Sequence, residues 1–288
     1  AQEKFSHRIT VLSRQKNIKH LPAGTQVMHW DRFKTLDKHA LGQWDCVINL
    51  CGKSIASRRW SKKEKHQLFT SRMMPTQILT ERFAQIDHPV HLLHASGVGI
   101  YGPCQNASVN AHVWTENDTI VSDKNYFLQT LAMAIEEQAL KTDAPHISQS
   151  FCRLAPVLSF KGGILKKLLP SYRCHLGGKI GSGKQPFPWI HIDDAIAAMA
   201  WLITNKITGP VNLVAPEIIS QYQFAKALAD RLHKPCAFFL PEKIIEIAFG
   251  QMGKECLLSG QQVAPEALLQ QQFRFLYPSI ESALNSPF

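Results

Sequence analysis

The sequence predicts an α/β protein, with a doubly wound parallel sheet in its first half and a smaller, irregular C-terminal lobe. Three observations carry this. Short apolar runs alternate with longer helical patterns as far as about Ala155, as strands joined by crossover helices do. The strand-like runs are apolar at consecutive positions, which suits strands covered on both faces. After Ala155 the texture breaks into short apolar pieces divided by Gly162-Gly163, Pro170, Gly177-Gly178, Gly181, Gly183, Pro186 and Pro188. The expected division is a nucleotide-binding body over residues 1–155 and a substrate lobe over 156–288, intimately packed.

The first element is the β-rich run Arg8-Ile9-Thr10-Val11-Leu12-Ser13-Arg14. Cys46-Val47-Ile48-Asn49-Leu50 reads as a buried parallel strand ended by Gly52. Ser61-Lys62-Lys63-Glu64 is a capping box, in which a hydroxyl and a carboxylate satisfy free N–H groups. The helix it opens runs to about Ile86, with Pro75 kinking it or starting a new segment. Val90 to Ala95 is the next strand, and residues 103–124 are polar and turn-rich. Tyr126 to about Lys141 is a helix, and a further strand lies within Ile147–Leu158. In the second half, Asp193 and Asp194 cap a helix over Ala195–Ile203. Val211 to Val214 is strand-like, and Ser220-Gln221-Tyr222-Gln223 is a second capping box leading a helix to His233. The tail, 241–288, reads as short helical pieces.

Composition narrows the class. The 288 residues are 45% hydrophobic and 19% charged, as in ordinary soluble domains. No apolar run reaches the roughly 18 residues that span a bilayer, and no signal-peptide core opens the chain. Seven cysteines are scattered without a CxxC pair, so neither a metal site nor a disulfide framework is expected. Cys46 and Cys152 fall in strand-like runs and read as small core residues. The expected setting is reducing and cytoplasmic. The net charge of +10 favours anionic ligands or non-specific nucleic-acid contact. No RNP-type aromatic motif or DNA-reading helix supports a specific nucleic-acid partner.

Two glycine patterns are decoys. Gly97-Val98-Gly99-Ile100-Tyr101-Gly102 fits GxGxxG and follows a strand, but Pro103 and a polar loop follow where a helix must open. Gly178 to Lys184 fits GxxxxGK, but Gln185 stands where a magnesium-holding Ser or Thr belongs, and Pro186 and Pro188 forbid the helix. An anion contact by Lys184 stays open.

Six blocks in order resemble the short-chain dehydrogenase/reductase superfamily, in its "epimerase family" branch of extended NAD(P)-binding proteins. They are Val47-Ile48-Asn49-Leu50-Cys51-Gly52 with Ser54-Ile55; Arg59-Trp60 with Lys65 and Ser71-Arg72; Ala95 through Gly102; Trp114-Thr115-Glu116; Gly181-Ser182-Gly183; and Trp189-Ile190-His191-Ile192-Asp193-Asp194. The resemblance implies a Rossmann-type sheet whose backbone at Leu50, Cys51, Gly52 and Ala95 lies against a dinucleotide. Gly52 suits that position because a side chain there blocks close approach. The ribose-reading position after the first strand is Ser13-Arg14-Gln15-Lys16. Its cations Arg14 and Lys16 suit a 2′-phosphate, favouring NADP(H) over NAD(H); surface solubility is the alternative for both.

The catalytic group of extended members is a Ser or Thr, a Tyr, and a Lys four residues after the Tyr. Ser96 matches the first. Thr130 follows Tyr126 by four and Leu131 follows Phe127 by four, so the Tyr–Lys pair is absent. Tyr101 is a substitute acid by position, or a packed turn tyrosine. Arg59 and Trp60 are placed near the substrate, where an Arg and a ring clamp an anionic or planar ligand; the alternative for Trp60 is packing of helix on sheet. His191 faces the cleft or fills core. Arg153 faces substrate or forms an internal ion pair. No metal ligand set is expected.

The Arg8–Ser13 run looks like a second strand, and no glycine-rich pyrophosphate turn precedes it. In the order 3-2-1-4-5-6 the first strand is central. About five apolar side chains at roughly 1.5–3 kcal/mol each exceed about 7 kcal/mol, which rivals the stability of a domain, about 5–15 kcal/mol. The expectation is an upstream segment in the natural protein, unless the neighbouring strands close the gap; a chain truly starting at Ala1 would be expected to lose its cofactor. The expected activity is an NADP(H)-dependent oxidoreductase or epimerase acting on a small, sugar-like or anionic substrate. The rival is a non-catalytic nucleotide sensor or interaction module. Substrate and oligomeric state are not legible.

Overall fold

The computed structural model describes residues 7–15, 18, 21–104 and 112–287. Their elements are β1 (Thr10–Ser13), β2 (Gln26–His29), α1 (Trp30–Lys34), α2 (Lys38–Leu41), β3 (Cys46–Asn49), α3 (Lys62–Phe83) and β4 (Val90–Gly97). A 3₁₀ turn (Val98–Tyr101), α4 (Phe127–Leu140), β5 (Ile147–Leu154), β6 (Val157–Ser159), α5 (Gly163–Arg173), β7 (Gly178–Ile180), β8 (Ile190–His191) and α6 (Ile192–Thr204) follow. The chain ends with β9 (Gly209–Leu213), α7 (Gln221–Arg231), β10 (Phe238–Leu240), α8 (Glu242–Phe249), α9 (Gln251–Cys256), α10 (Glu266–Gln270) and α11 (Ile280–Leu284).

The main sheet is parallel, in the order β3-β4-β5-β9. Successive strand residues point to opposite faces, and both faces are covered. Val90 and Leu92 share a core with Leu79 and Phe83 of α3. Leu93, on the opposite face, packs with Cys152 and with Ala198 and Leu202 of α6. Two-sided cover is why adjacent strand positions such as Leu92 and Leu93 are both apolar. β9 and α6 complete this sheet although they lie beyond residue 155. Burial raises the Cys152 thiol to about 12 and Cys46 to about 11, as expected of inert packed thiols.

β1 and β2 form a separate parallel pair. Leu12 and Met28 pack onto the same core as Phe33, Leu41 and Phe83. β1 does not hydrogen-bond to β3, so the neighbouring strands do not close the expected gap. The run Cys46–Leu50, expected to be buried, is therefore half open. β3 has one paired neighbour, and Ile48 and Leu50 are 45% and 61% exposed.

Several local expectations are corrected. α3 continues through Pro75 as one element. Ser61 caps it, accepting from the Glu64 N–H at 3.1 Å, but the Glu64 carboxylate turns to Lys53 Nζ at 2.7 Å instead of closing the box. The cap of α6 is His191, not an aspartate. Asp194 instead accepts from the N–H groups of Leu276 and Tyr277 at 2.7 and 3.0 Å, holding the tail. The second capping box, Ser220 with Gln223, is present. The glycine- and proline-rich stretch also hides a helix, α5, which buries Leu165 and Tyr172 against Trp189, Phe224 and Leu228. That core, flanked by the ribbons β6–β8 and β7–β10, forms the C-terminal lobe.

Candidate functional site

In open α/β sheets, ligands bind beyond the carboxyl ends of the strands. Here the ends of β4, β5 and β9 bring Ser96, Arg153 and Asn212 together, and the 3₁₀ turn adds Tyr101. The Ser96 hydroxyl donates to Glu136 Oε1 at 2.8 Å. Arg153 donates through Nε to Glu136 Oε1 at 3.0 Å and through Nη2 to Oε2 at 2.8 Å, a bidentate pair. Its Nη1 donates to the Tyr101 hydroxyl at 2.9 Å, which in turn donates to Asn212 Oδ1 at 2.8 Å. Asn212 Nδ2 donates to the Ala264 carbonyl at 3.0 Å, and its backbone N–H donates to Glu116 at 2.8 Å. Tyr101 stacks on Trp114 with centroids 5.5 Å apart.

The network is buried, with Arg153 5%, Tyr101 4% and Asn212 0% exposed. Burial alone would lower the Arg153 pKa, but the Glu136 hydrogen bonds and charge overcome it and push it up. Burial raises Tyr101, and Arg153 offsets part of that. Burial likewise raises Glu116, against the N–H groups it accepts from. A cation thus sits on the one phenol of this cluster, which is the electrostatic part that a Tyr–Lys pair supplies elsewhere. α4 carries no lysine, and Tyr126 is raised by burial, its hydroxyl accepting from Gln261 at 3.1 Å.

The second cluster is the open rim formed by the ends of β1 and β3. Leu50 is exposed, and Cys51 N–H donates to Asn49 Oδ1 at 3.2 Å. Burial raises the Cys51 thiol, and the charge of Arg14 opposes it. Lys16 lies outside the described residues. The neighbour of Gly52 is the Arg72 guanidinium: a Cβ there would lie 2.8 Å from its Cζ, so a side chain would displace the end of Arg72. Arg72 also donates to the carbonyls of Lys53 and Leu68, at 3.0 and 3.1 Å. Ala95 is half-buried on β4, one residue before Ser96.

The remaining residues stand apart from both clusters. Arg59 reaches the C-terminal lobe, donating to the Ile247 carbonyl at 3.1 Å and covering Gly250. Trp60 is buried with Leu68 and Met252, donates to the Ile55 carbonyl at 2.9 Å and meets Phe127 edge-on at 5.0 Å. His191 is buried in the C-terminal lobe, bonded to Ser286 at 3.1 Å and against the Tyr277 ring at 4.0 Å. Sequence reasoning missed Glu136 and Glu255, and named Glu116 only within a matching block, without a role. Glu255 closes the start of α4 from afar, accepting from the N–H groups of Phe127 and Leu128 at 3.0 and 2.9 Å. Nothing in the sequence marks Glu136: its burial in α4 and its pairing with Arg153 emerge only once β5 lies beside the helix.

Gly97–Gly102 opens no α-helix; the Cβ that Gly99 lacks would lie 3.0 Å from Leu128 Cβ, so glycine there admits α4. Among the described residues, no group of His, Cys, Asp and Glu is arranged to hold a metal, and no helix is long and apolar enough to cross a membrane. For a dinucleotide the fit is divided. Arg14 and the exposed Leu50 surface suit its ribose end and one face. Among the described residues, no strand of β1–β2 or of the main sheet runs through a glycine-rich turn into a helix N-terminus, so no cradle for the pyrophosphate is present there.

Known proteins are similar to this chain over most of its length. An epimerase family protein of Mycobacterium bovis is 33% identical over 270 residues, covering 93% of this chain and 87% of that protein. Epimerase family protein YfhF of Bacillus subtilis is 32% identical over 287 residues, covering 97% and 89%. The human epimerase family protein SDR39U1 (isoform 2), solved with NADPH, superposes with a TM-score of 0.83 at 29% identity, covering 97% of this chain and 90% of that one. UDP-glucuronic acid 4-epimerase of Bacillus cereus, at 17% identity and a TM-score of 0.67, shares the fold, over 92% and 80% of the two chains. Residues 240–286 match a domain of unknown function, DUF1731. Residues 1–215 of the 288 match the family described as "NAD dependent epimerase/dehydratase family", and the chain belongs to that family.

Proposed function

We propose that this protein is an NADP(H)-dependent oxidoreductase or epimerase-like protein acting on a small, sugar-like or anionic substrate. The observation that carries the reading is the Ser96–Glu136–Arg153–Tyr101 network at the strand ends, beside the Leu50–Gly52 rim. On this reading Arg14 meets the 2′-phosphate and Leu50, Cys51, Gly52 and Ala95 line the dinucleotide. Ser96 orients the substrate oxygen, and Tyr101, with Arg153 against its phenol, holds the proton to be moved. The bound nicotinamide would supply or accept the hydride. Arg59, Trp60 and His191 act through packing of the C-terminal lobe against the cleft. The relative solved with NADPH supports the cofactor choice.

Thermal melting of the purified protein with NADPH and with NADH tests the reading. Saturating NADPH at about 100 times its Kd should stabilise the fold by about 2.7 kcal/mol, with a smaller effect from NADH. No shift with either would sink it. One observation favours a second reading, a non-catalytic nucleotide sensor: the Tyr101 hydroxyl is buried, with both a donor and an acceptor already engaged. NADPH binding without hydride transfer to any of a panel of ketones and sugar nucleotides would favour the sensor.

A further inference from the structure

A cavity of about 1370 Å³ opens in the C-terminal lobe, and every residue lining it comes from positions 179–262. None of the residues assigned above to cofactor or substrate lines it. Its chemistry has three parts. Lys179 and Lys184 line it, and among the described residues neither has an ion-pair partner. Phe239 and Tyr222, 51% and 43% exposed, add aromatic surface, and the Lys179 ammonium stands 5.1 Å from the Phe239 centroid. The third part is Gln262. It is 8% exposed and lines the cavity, and its Oε1 has no hydrogen-bond partner. An acceptor buried without a donor is unfavourable, and native proteins rarely leave one without a reason.

The backbone is shaped around this arrangement. Gly183 adopts φ +70°, and a Cβ there would lie 2.6 Å from Lys179 Cγ and 3.1 Å from Tyr222 Cβ. Glycine thus lets the lysine stem and the tyrosine share one wall. Two unpaired cations call for an anion, exposed rings call for a flat or apolar body, and the orphan amide oxygen calls for an N–H or O–H.

We infer that this cavity binds a small anion carried on a planar ring system with its own hydrogen-bond donor, held by Lys179 and Lys184, Phe239 and Tyr222, and Gln262. The site does not rest on the cofactor reading, and NADPH binding can fail while this site stands.

The probe is 8-anilinonaphthalene-1-sulfonate, which joins a sulfonate, fused rings and an N–H. Its control is N-phenyl-1-naphthylamine, which has the same rings and N–H without the anion. Fluorescence titration should saturate at one sulfonate probe per chain, with about tenfold weaker binding in Lys179→Ala and in Lys184→Ala. The neutral control should bind equally to both lysine variants and the parent. Gln262→Leu should weaken both probes about three- to tenfold. Circular dichroism checks that each variant is folded, and Lys184→Gln, in an exposed turn, serves where Lys179→Ala fails. Unchanged sulfonate affinity in the lysine variants overturns the proposal. So does displacement of the probe by NADPH, which would place it in the other cleft, or its loss on formation of a dimer seen by sedimentation.

Discussion

Two regions at the same end of the sheet are built on opposite terms. Over β4, β5 and β9 the polar groups are buried and joined: Ser96, Glu136, Arg153, Tyr101 and Asn212 each use a side-chain partner. At the ends of β1 and β3 the side chains are open, with Leu50, Ile48 and Arg14 exposed. In the closed region any deletion strands a buried partner, and stability registers the loss. In the open rim a deletion strands nothing, and only binding registers it. The difference separates residues that hold the site from residues that meet a ligand.

The largest expected effect is at Glu136. Glu136→Ala leaves the Arg153 guanidinium buried without its bidentate acceptor, and breaking a buried pair from one side costs about 3–5 kcal/mol. Urea unfolding should show this loss, and the double variant Glu136→Ala with Arg153→Met should recover more than half of it, since the stranded charge is then gone. A single-variant loss under about 1 kcal/mol would mean that the network is solvated and the contrast with the rim is false.

The next effect is a dependence on pH, seated at His94 on β4. Its ring is 1% exposed, bonded through Nε2 to Gln149 at 3.0 Å, with Nδ1 lacking a partner. Burial holds its pKa down to about 4; the Gln149 bond opposes this weakly and His91 adds to it. Above pH 6.5 the ring is neutral in both folded and unfolded chains and contributes no slope. Between about 6.5 and 4 the unfolded chain takes up a proton that the folded chain refuses, so stability falls as pH falls. The full difference is about 3 kcal/mol. Unfolding at pH 7.5 and 4.5 should show most of it, and His94→Phe should remove that share of the slope, leaving the part from His91 and His191, which burial also lowers. An unchanged slope in the variant would assign the acid sensitivity elsewhere.

Tyr101→Phe ranks third. It leaves Arg153 Nη1 and Asn212 Oδ1 unpaired while keeping the stacked ring, for a loss of about 1–3 kcal/mol. If Tyr101 also moves a proton, turnover falls by far more than the melt accounts for; if it is structural alone, activity per folded molecule stays level.

The closed and open regions also differed in how far the sequence revealed them. Strands β4 and β5 were legible because cover on both faces clusters apolar residues such as Leu92-Leu93 and Phe151-Cys152 between the helical patterns. The buried position of Cys152 followed from the same pattern. Glu136 was not legible, because a lone acid in a helix reads as solvent-facing until the strand that supplies Arg153 is placed beside it. Arg153 itself had two readings, and its partner 17 residues upstream selects the ion pair. α5 was hidden because Gly162-Gly163 and Pro170 read as breakers, although a glycine at φ +62° starts the helix and the proline is carried inside it. Local capping signals transferred well at Ser220, whereas Glu64 was drawn away by Lys53, a tertiary partner 11 residues upstream.

The smallest expected effect on stability is at the rim, and there it is the informative one. Leu50 is 61% exposed, so Leu50→Ser should change unfolding by less than about 0.5 kcal/mol. Arg14→Gln should be as mild, since Arg14 follows β1 and is exposed. If the rim meets the dinucleotide, Leu50→Ser weakens NADPH and NADH alike, whereas Arg14→Gln weakens NADPH alone, because only that cofactor carries the 2′-phosphate. Titration by nicotinamide fluorescence separates the two. Equal loss of both cofactors in Arg14→Gln would remove the phosphate-reading role from Arg14. Unaltered affinity in Leu50→Ser would show that the open face of β3 is not the surface on which the cofactor lies.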